Sequence, residues 1–289
     1  MSAVEFYPST VANILTPVGP YDIVATRNAP VAGGRFGVVV LSHGTGGSKW
    51  DLHDLAESLA RAGYVTASLT HPGDNYRDHS GLGTDRVLIG RPKQMSALLD
   101  RVLNDPILRT HIDRRRIAVG GFSAGGYTAL VMAGARPNFA LLGRYCHQHT
   151  TDLTFCWNGN HTHVQISGLV AGRDHRVRAV IALAPVGLYF DRAGLATVKV
   201  RVLLFDVRRD EVLTPRNNAD HVAESLPKPP FRYVVFPEGS HLVFVAPCTK
   251  RMRTLAPAVC ADASGTNRAL IHHEIERDTT NFLASVLDR

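Results

Sequence analysis

Two kinds of apolar run alternate along most of this chain. Short continuous runs, "FGVVVLSHG" (36–44), "YVTASLTH" (64–71), "RIAVGGFS" (116–123), "VRAVIALAPV" (177–186), "VRVLLFDV" (200–207) and "FRYVVF" (231–236), have the length and β-branched content of strands buried on both faces. Between them lie segments whose apolar residues recur every three or four positions. "DLHDLAESLARAG" (51–63) puts Leu52, Leu55 and Leu59 on one helical face, with Gly63 as its stop. "RPKQMSALLDRVLND" (91–105) has an apolar stripe of Met95, Leu98, Leu99, Val102 and Leu103. "AGGYTALVMAGA" (124–135), a helix near 216–225, and a last helix carrying Ile271, Ile275, Phe282 and Val286 complete the series.

Strand alternating with helix predicts an α/β protein, with a mostly parallel, doubly wound sheet flanked by helices. The alternation breaks over 137–176, which is polar, aromatic and cysteine-bearing with no clear period. We read it as a cap-like insertion after the helix at 124–135, over the carboxyl edge of the sheet, where such folds bind ligands. At 289 residues the chain is expected to form one α/β domain, 1–289, with that insertion inside it.

Composition narrows the partners. A hydrophobic content of 45% and a charged content of 20% are those of an ordinary globular chain. No apolar stretch approaches the roughly 20 residues of a membrane-spanning helix. The opening "MSAVEFYPST" has neither the basic nor the apolar region of a signal peptide. Net charge is +7, which raises nucleic acid as a partner. The basic residues are nevertheless scattered, and the densest cluster, "DRRR" at 113–116, leads into a strand, so a solvated basic surface is expected and no nucleic acid.

Four cysteines allow three pairings. Pairing between near neighbours would close two short loops, each worth about 3 kcal/mol in the chain-entropy model, and would suit a periplasmic or secreted protein. The stretch "CHQHTTDLTFCWNGNHTH" also has the composition of a zinc site, through Cys146, His147, His149, Cys156, His161 and His163. Its spacing favours a disulfide, and neither metal nor cofactor is expected.

Four features carry chemistry. In "GGFSAGGY" (120–127) the spacing Gly121-Phe122-Ser123-Ala124-Gly125 is that of a strand–turn–helix elbow presenting a serine nucleophile. The bland alternative is a glycine-rich turn whose serine caps a helix. A serine hydroxyl needs a base, and the base needs an orienting group. In such folds the acid and the histidine follow the serine in that order, each beyond a strand end. "RRDEVLTP" (208–215) offers Asp210; Asp206, inside the strand, and Glu211 are its competitors. "PEGSHLVFV" (237–245) offers His241. "LSHGTGG" (41–47) then supplies a loop whose Thr45 amide can join that of Ala124 against a developing oxyanion. The same loop lacks the glycine pattern and lysine of a nucleotide site.

With these motifs in view, the chain resembles the α/β-hydrolase superfamily. More narrowly, it resembles the predicted dienelactone-hydrolase group that includes bacterial relatives of platelet-activating-factor acetylhydrolase. "VVVLSHGTGG", "RPKQMSALLD", "GGFSAGGYTAL", "RRDEVLTP" and "PEGSHLVFVAPC" carry the likeness, which runs from about residue 36 to the end. It implies a Ser123, Asp210, His241 triad with Thr45 and Ala124 as oxyanion donors, and it matches cysteine pairs after the elbow helix and after the histidine. The pairs expected are Cys146–Cys156 and Cys248–Cys260. Dienelactone hydrolases use a cysteine at the elbow; the serine here points to ester hydrolysis instead. Lactone, thioester or peptide hydrolysis on the same triad, or a non-catalytic small-molecule binder, are the alternatives. The expected substrate is a small, uncharged ester with a short acyl group. Phe155 and Trp157 of the insertion, with Leu188 and Tyr189 of "PVGLYF" (185–190), are expected to line its pocket.

Overall fold

The computed structural model describes residues 2–152, 154–156 and 172–288. The first half of the chain runs β1 (Ser2–Phe6), β2 (Leu15–Val18), β3 (Tyr21–Val24), β4 (Phe36–Ser42), α1 (His53–Arg61), β5 (Tyr64–Thr70), α2 (Asp85–Leu88), α3 (Gly90–Asn104) and β6 (Ile112–Phe122). The second half runs α4 (Ala124–Met132), α5 (Ala140–Gln148), β7 (Ala179–Leu183), α6 (Arg192–Leu195), β8 (Arg201–Val207), α7 (Ala219–Ser225), β9 (Arg232–Phe236), α8 (Lys250–Leu255) and α9 (Arg268–Leu287).

Seven strands form one sheet in the order β1-β5-β4-β6-β7-β8-β9. All neighbours are parallel except β1, which pairs antiparallel with β5. The six apolar runs supply the parallel strands. Their side chains alternate between two cores: Val38 and Val40 of β4 face the core beneath α3 and α4, whereas Val39 and Leu41 face the core of α1 and α9. A sheet covered on both faces explains why these strands read as unbroken hydrophobic runs. Gly63, at φ 94°, ends α1 and turns the chain directly into β5.

Three local features depart from expectation. The N-terminal region contributes the sheet's antiparallel edge and a β2–β3 hairpin. The strand carrying the elbow begins at Ile112, so Arg114, Arg115 and Arg116 lie inside β6 where its outer end projects into solvent. Within 137–176 there is a helix, α5, whose buried side is only Leu142 and Cys146, four residues apart. Two buried positions are too few to print a helical period on the sequence.

The chain builds outward from β4 to β5, then returns across β4 to β6. The carboxyl ends of β4 and β6 therefore flank a topological switch point, the crevice where such sheets hold ligands. Register pairs Ser42 with Gly121, and so brings the "HGTGG" loop beside the elbow.

Candidate active site

Ser123 sits between β6 and α4 with φ 55° and ψ −116°, a conformation that L residues rarely adopt. Strain of this kind costs on the order of 1–3 kcal/mol and persists only where neighbouring bonds impose it. Here the Ser123 amide donates to the Leu183 carbonyl at 2.9 Å, and the Ser123 carbonyl accepts from Tyr127 at 3.1 Å and Val186 at 3.2 Å. The flanking glycines are required by contact. A Cβ on Gly121 would overlap the Gly125 backbone, and one on Gly125 would overlap the Ser42 carbonyl. The serine is thereby set at the sheet's carboxyl edge, buried to 7% exposure.

His241 opens a short 3-10 turn, His241–Phe244, after β9. Its Nε2 lies 3.0 Å from Ser123 Oγ and its Nδ1 lies 2.6 Å from Asp210 Oδ2. The bonding pattern fixes the tautomer: Nδ1–H donates to the carboxylate, and Ser123 Oγ–H donates to Nε2. The ring lies against Phe122, centroids 4.8 Å apart. Asp210 is buried in the loop after β8, where its Oδ1 accepts the amides of Val212 at 2.9 Å and Leu213 at 2.6 Å. One carboxylate oxygen is thus anchored to the loop, and the other is turned to the imidazole. Glu211 serves the backbone instead, its carboxylate accepting the His241 amide at 3.0 and 3.2 Å.

Asp206, the competing acid, is 1% exposed, and both of its oxygens lack a partner among the described residues. Burial first, and then the charge of Asp210, push its carboxyl up to about 8. A carboxyl held largely protonated at neutral pH cannot serve as the anionic orienter of an imidazole.

Neither the Thr45 nor the Ala124 amide meets an acceptor among the described residues. Ala124 is the first residue of α4, so its N–H is one of the unbonded donors at a helix start. Gly44 packs on Phe122 and Ser123, and would carry a Cβ 3.4 Å from that of Ser123.

Phe155 and Tyr189 are brought together, ring centroids 6.2 Å apart, in an aromatic cluster with Phe139, Tyr145 and Tyr127. Leu188 and Tyr189 are each 6% exposed and belong to the core beneath α4. The loop reaches the elbow instead through the Val186 amide and through Pro185, packed against Gly126. Trp157, His161 and His163 lie outside the described residues. Disulfides join Cys146 to Cys156 and Cys248 to Cys260. Among the described residues no group of three or more His, Cys, Asp or Glu side chains could hold a metal ion. A separate groove of about 560 Å³, between the first three strands and α1, is lined by Trp50, Glu57 and Arg61 but by none of the residues above. No described helix is long and apolar enough to cross a membrane.

Sequence reasoning missed the role of the buried polar residues that open and back the "HGTGG" loop: His43 at its start, and His71, Asp74 and Arg91 behind it. A signal for Arg91 was present. It stands four residues before Met95, on the same helical stripe as Leu98 and Val102, and a charge on a buried stripe demands a partner.

No known family model matches the chain, and no curated protein matches it. A solved structure described as a ferulic acid esterase from Streptomyces cinnamoneus is similar over 99% of this chain and 82% of its own, with 20% sequence identity and a TM-score of 0.68. This likeness is one of fold, and the fold is that of the α/β-hydrolases.

Proposed function

We propose that the protein is a serine esterase that hydrolyses carboxylic esters through an acyl-enzyme. The observation that carries this reading is the unbroken relay Ser123 Oγ to His241 Nε2 and His241 Nδ1 to Asp210, built on a strained elbow. Ser123 Oγ attacks the ester carbonyl carbon as its proton passes to Nε2. The carbonyl electron pair moves onto oxygen, where the Thr45 and Ala124 amides receive it. The tetrahedral adduct then collapses: the bond to the alkoxy oxygen breaks, and that oxygen takes the proton from Nε2. Water repeats the sequence on the acyl-enzyme, its proton passing through Nε2 back to Ser123. Asp210 holds the ring and balances the imidazolium formed at each step.

That a ferulic acid esterase shares the fold across nearly the whole chain supports ester cleavage. The quoted motifs, with serine in place of cysteine at the elbow, favour the group near dienelactone hydrolases and platelet-activating-factor acetylhydrolase relatives. The substrate in this reading is a small, uncharged ester with a short acyl group, bound beside the aromatic cluster of the insertion. The two disulfides favour an oxidising location, periplasmic or extracellular.

The test is turnover of p-nitrophenyl esters from acetate to palmitate by wild type and Ser123→Ala. The variant should fold normally and lose at least about 10³-fold in kcat, and a fluorophosphonate should label Ser123. Labelling elsewhere, or no turnover by wild type, would overturn the reading. A rate maximum at long chains would overturn the short-acyl preference.

A further inference from the structure

The motif "RPKQMSALLD" has no part in the relay, yet its first residue is among the largest fully buried side chains of the described residues. Arg91, in the first turn of α3, is 1% exposed, and its partner Asp74 is wholly buried. Arg91 Nη1 donates to Asp74 Oδ2 at 2.5 Å, while Nη2 donates to Ser42 Oγ at 3.2 Å and to the His43 carbonyl. The second oxygen of Asp74 accepts the amide of Gly46 at 2.8 Å. One ion pair thus grips the backbone on both sides of Thr45.

The remaining polar groups close around this pair, and only Arg91 Nε lacks a partner among the described residues of the cluster. Ser42 Oγ accepts from Arg91 and donates to His71 Nε2 at 2.9 Å; His71 Nδ1–H donates to Gln94 Oε1 at 2.6 Å. The His71 amide donates to His43 Nε2 at 3.0 Å, and His43 Nδ1–H donates to the Gly44 carbonyl at 2.6 Å. Each imidazole gives one hydrogen and accepts one, so both are neutral. Burial and the nearby Arg91 charge hold them so, His43 at about 3 and His71 well below its usual value. The outcome is asymmetric. The His43 and Gly44 carbonyls and the Gly46 amide are bonded inward, and the Thr45 amide between them meets no acceptor among the described residues. On its other side the same segment is pressed on the nucleophile, because the Ser42 carbonyl occupies the space beside Gly125.

A buried ion pair is a poor device for stability alone, since well-packed apolar residues of similar size often do as well or better. A pair spent on the backbone of one loop needs another reason, and fixed donors facing a developing charge supply one. We propose that Arg91 and Asp74 are positioning residues that hold the Thr45 amide at oxyanion distance from the Ser123 attack site. The assignment rests on the esterase reading.

Two variants test it. Asp74→Asn leaves Arg91 without its counter-charge. Arg91→Lys keeps the charge but cannot reach Asp74, Ser42 and the His43 carbonyl together. In folded protein, kcat for p-nitrophenyl acetate should fall about 10²-fold with KM within about threefold. Affinity for a trifluoromethyl ketone, whose serine adduct carries the same oxyanion, should weaken by the same factor. Unchanged kcat in both variants, or a loss in kcat with no loss in ketone affinity, overturns the proposal. Failure of both variants to fold also overturns it, by assigning the pair to folding. Hydrogen exchange over residues 43–47 does not depend on the reaction. It should quicken at least about 10-fold in both variants, and unchanged exchange overturns the positioning even if wild type proves inert towards esters, the result that defeats the esterase reading itself.

Discussion

Two buried histidine–aspartate pairs meet at the turn after β9, and they differ in one bond. His241 gives its Nδ1–H to Asp210 and turns Nε2 towards the Ser123 hydroxyl, a donor. His272, on α9, gives Nδ1–H to Asp54 of α1 and turns Nε2 towards the Val243 carbonyl, an acceptor, at 2.8 Å. Val243 is only two residues beyond His241. A ring facing a donor must keep a lone pair, which is what a base needs. A ring facing two acceptors must carry two hydrogens and hence a charge. Burial is the largest single influence and would lower His272, but the charge and hydrogen bond of Asp54, with the Val243 carbonyl, together outweigh it and raise the ring. The second pair is therefore a strut that ties α9 and α1 to the turn bearing the first. A buried His–Asp pair is not in itself a sign of catalysis; the atom at the far nitrogen decides.

The sharpest way to break this contrast is to neutralise each carboxylate in turn. Asp210→Asn should lower kcat by on the order of 10³–10⁴ while the protein stays folded. Asp54→Asn should keep kcat within about 10-fold and cost roughly 3 kcal/mol of stability, because it leaves a buried imidazolium unpaired. Urea unfolding and ester turnover on the same preparations read both effects, and an exchange of the two outcomes would undo the distinction.

A smaller effect separates the pairs by pH. With its folded value raised, His272 stabilises fully below the ordinary imidazole value of about 6.5, and that contribution fades as pH rises through the higher folded value. Wild type should exceed His272→Gln by roughly 1–3 kcal/mol near pH 6, and the gap should narrow towards pH 9. Arg268 also faces His272 and opposes its charge, so a gap that widens with pH would mean the ring is neutral.

The smallest effect concerns the carboxyl beside the first pair. Asp206 keeps its proton up to about 8 when folded, whereas an unfolded aspartate loses it near 4. Between those values the folded state holds more protons, so this residue costs stability as pH rises. Relative to wild type, Asp206→Asn should gain at least about 1 kcal/mol between pH 4 and pH 7, with kcat changed less than about threefold. A loss of activity matching that of Asp210→Asn would move the orienting role to Asp206.

Much of this was legible in the sequence, and the reason is geometric. Buried parallel strands must be apolar on both sides, so their number and order stood out as unbroken runs. Ser123, Asp210, His241 and Thr45 each follow such a run, and strand ends are where a parallel sheet gathers loops. The edge strand β1 was missed because "SAVEF" buries only Phe6 fully and shows no clear alternation. Helix α5 was missed because two buried residues leave no period. Arg91 was overlooked because an arginine at a helix start reads as solvated surface unless its place on the apolar stripe is noticed. The His272–Asp54 pair joins residues 218 positions apart, and no local pattern could announce it.

The disulfide between Cys248 and Cys260 has a consequence for how long the molecule lasts once something cuts it. Between its two sulfurs the chain passes through α8, where Arg251 and Arg253 are exposed and Leu255 is 72% exposed, an open target for a trypsin-like protease. A cut there would leave Ser123, Asp210 and His241 on the longer fragment and α9, with Ile275 and Phe282 in the core, on the shorter. The two fragments would remain covalently joined, and Arg268 would still grip the Val245 carbonyl from across the break. With the disulfide intact a nick in α8 is a scar; in a reducing cytosol the same nick would leave the C-terminal helix held by packing and hydrogen bonds alone.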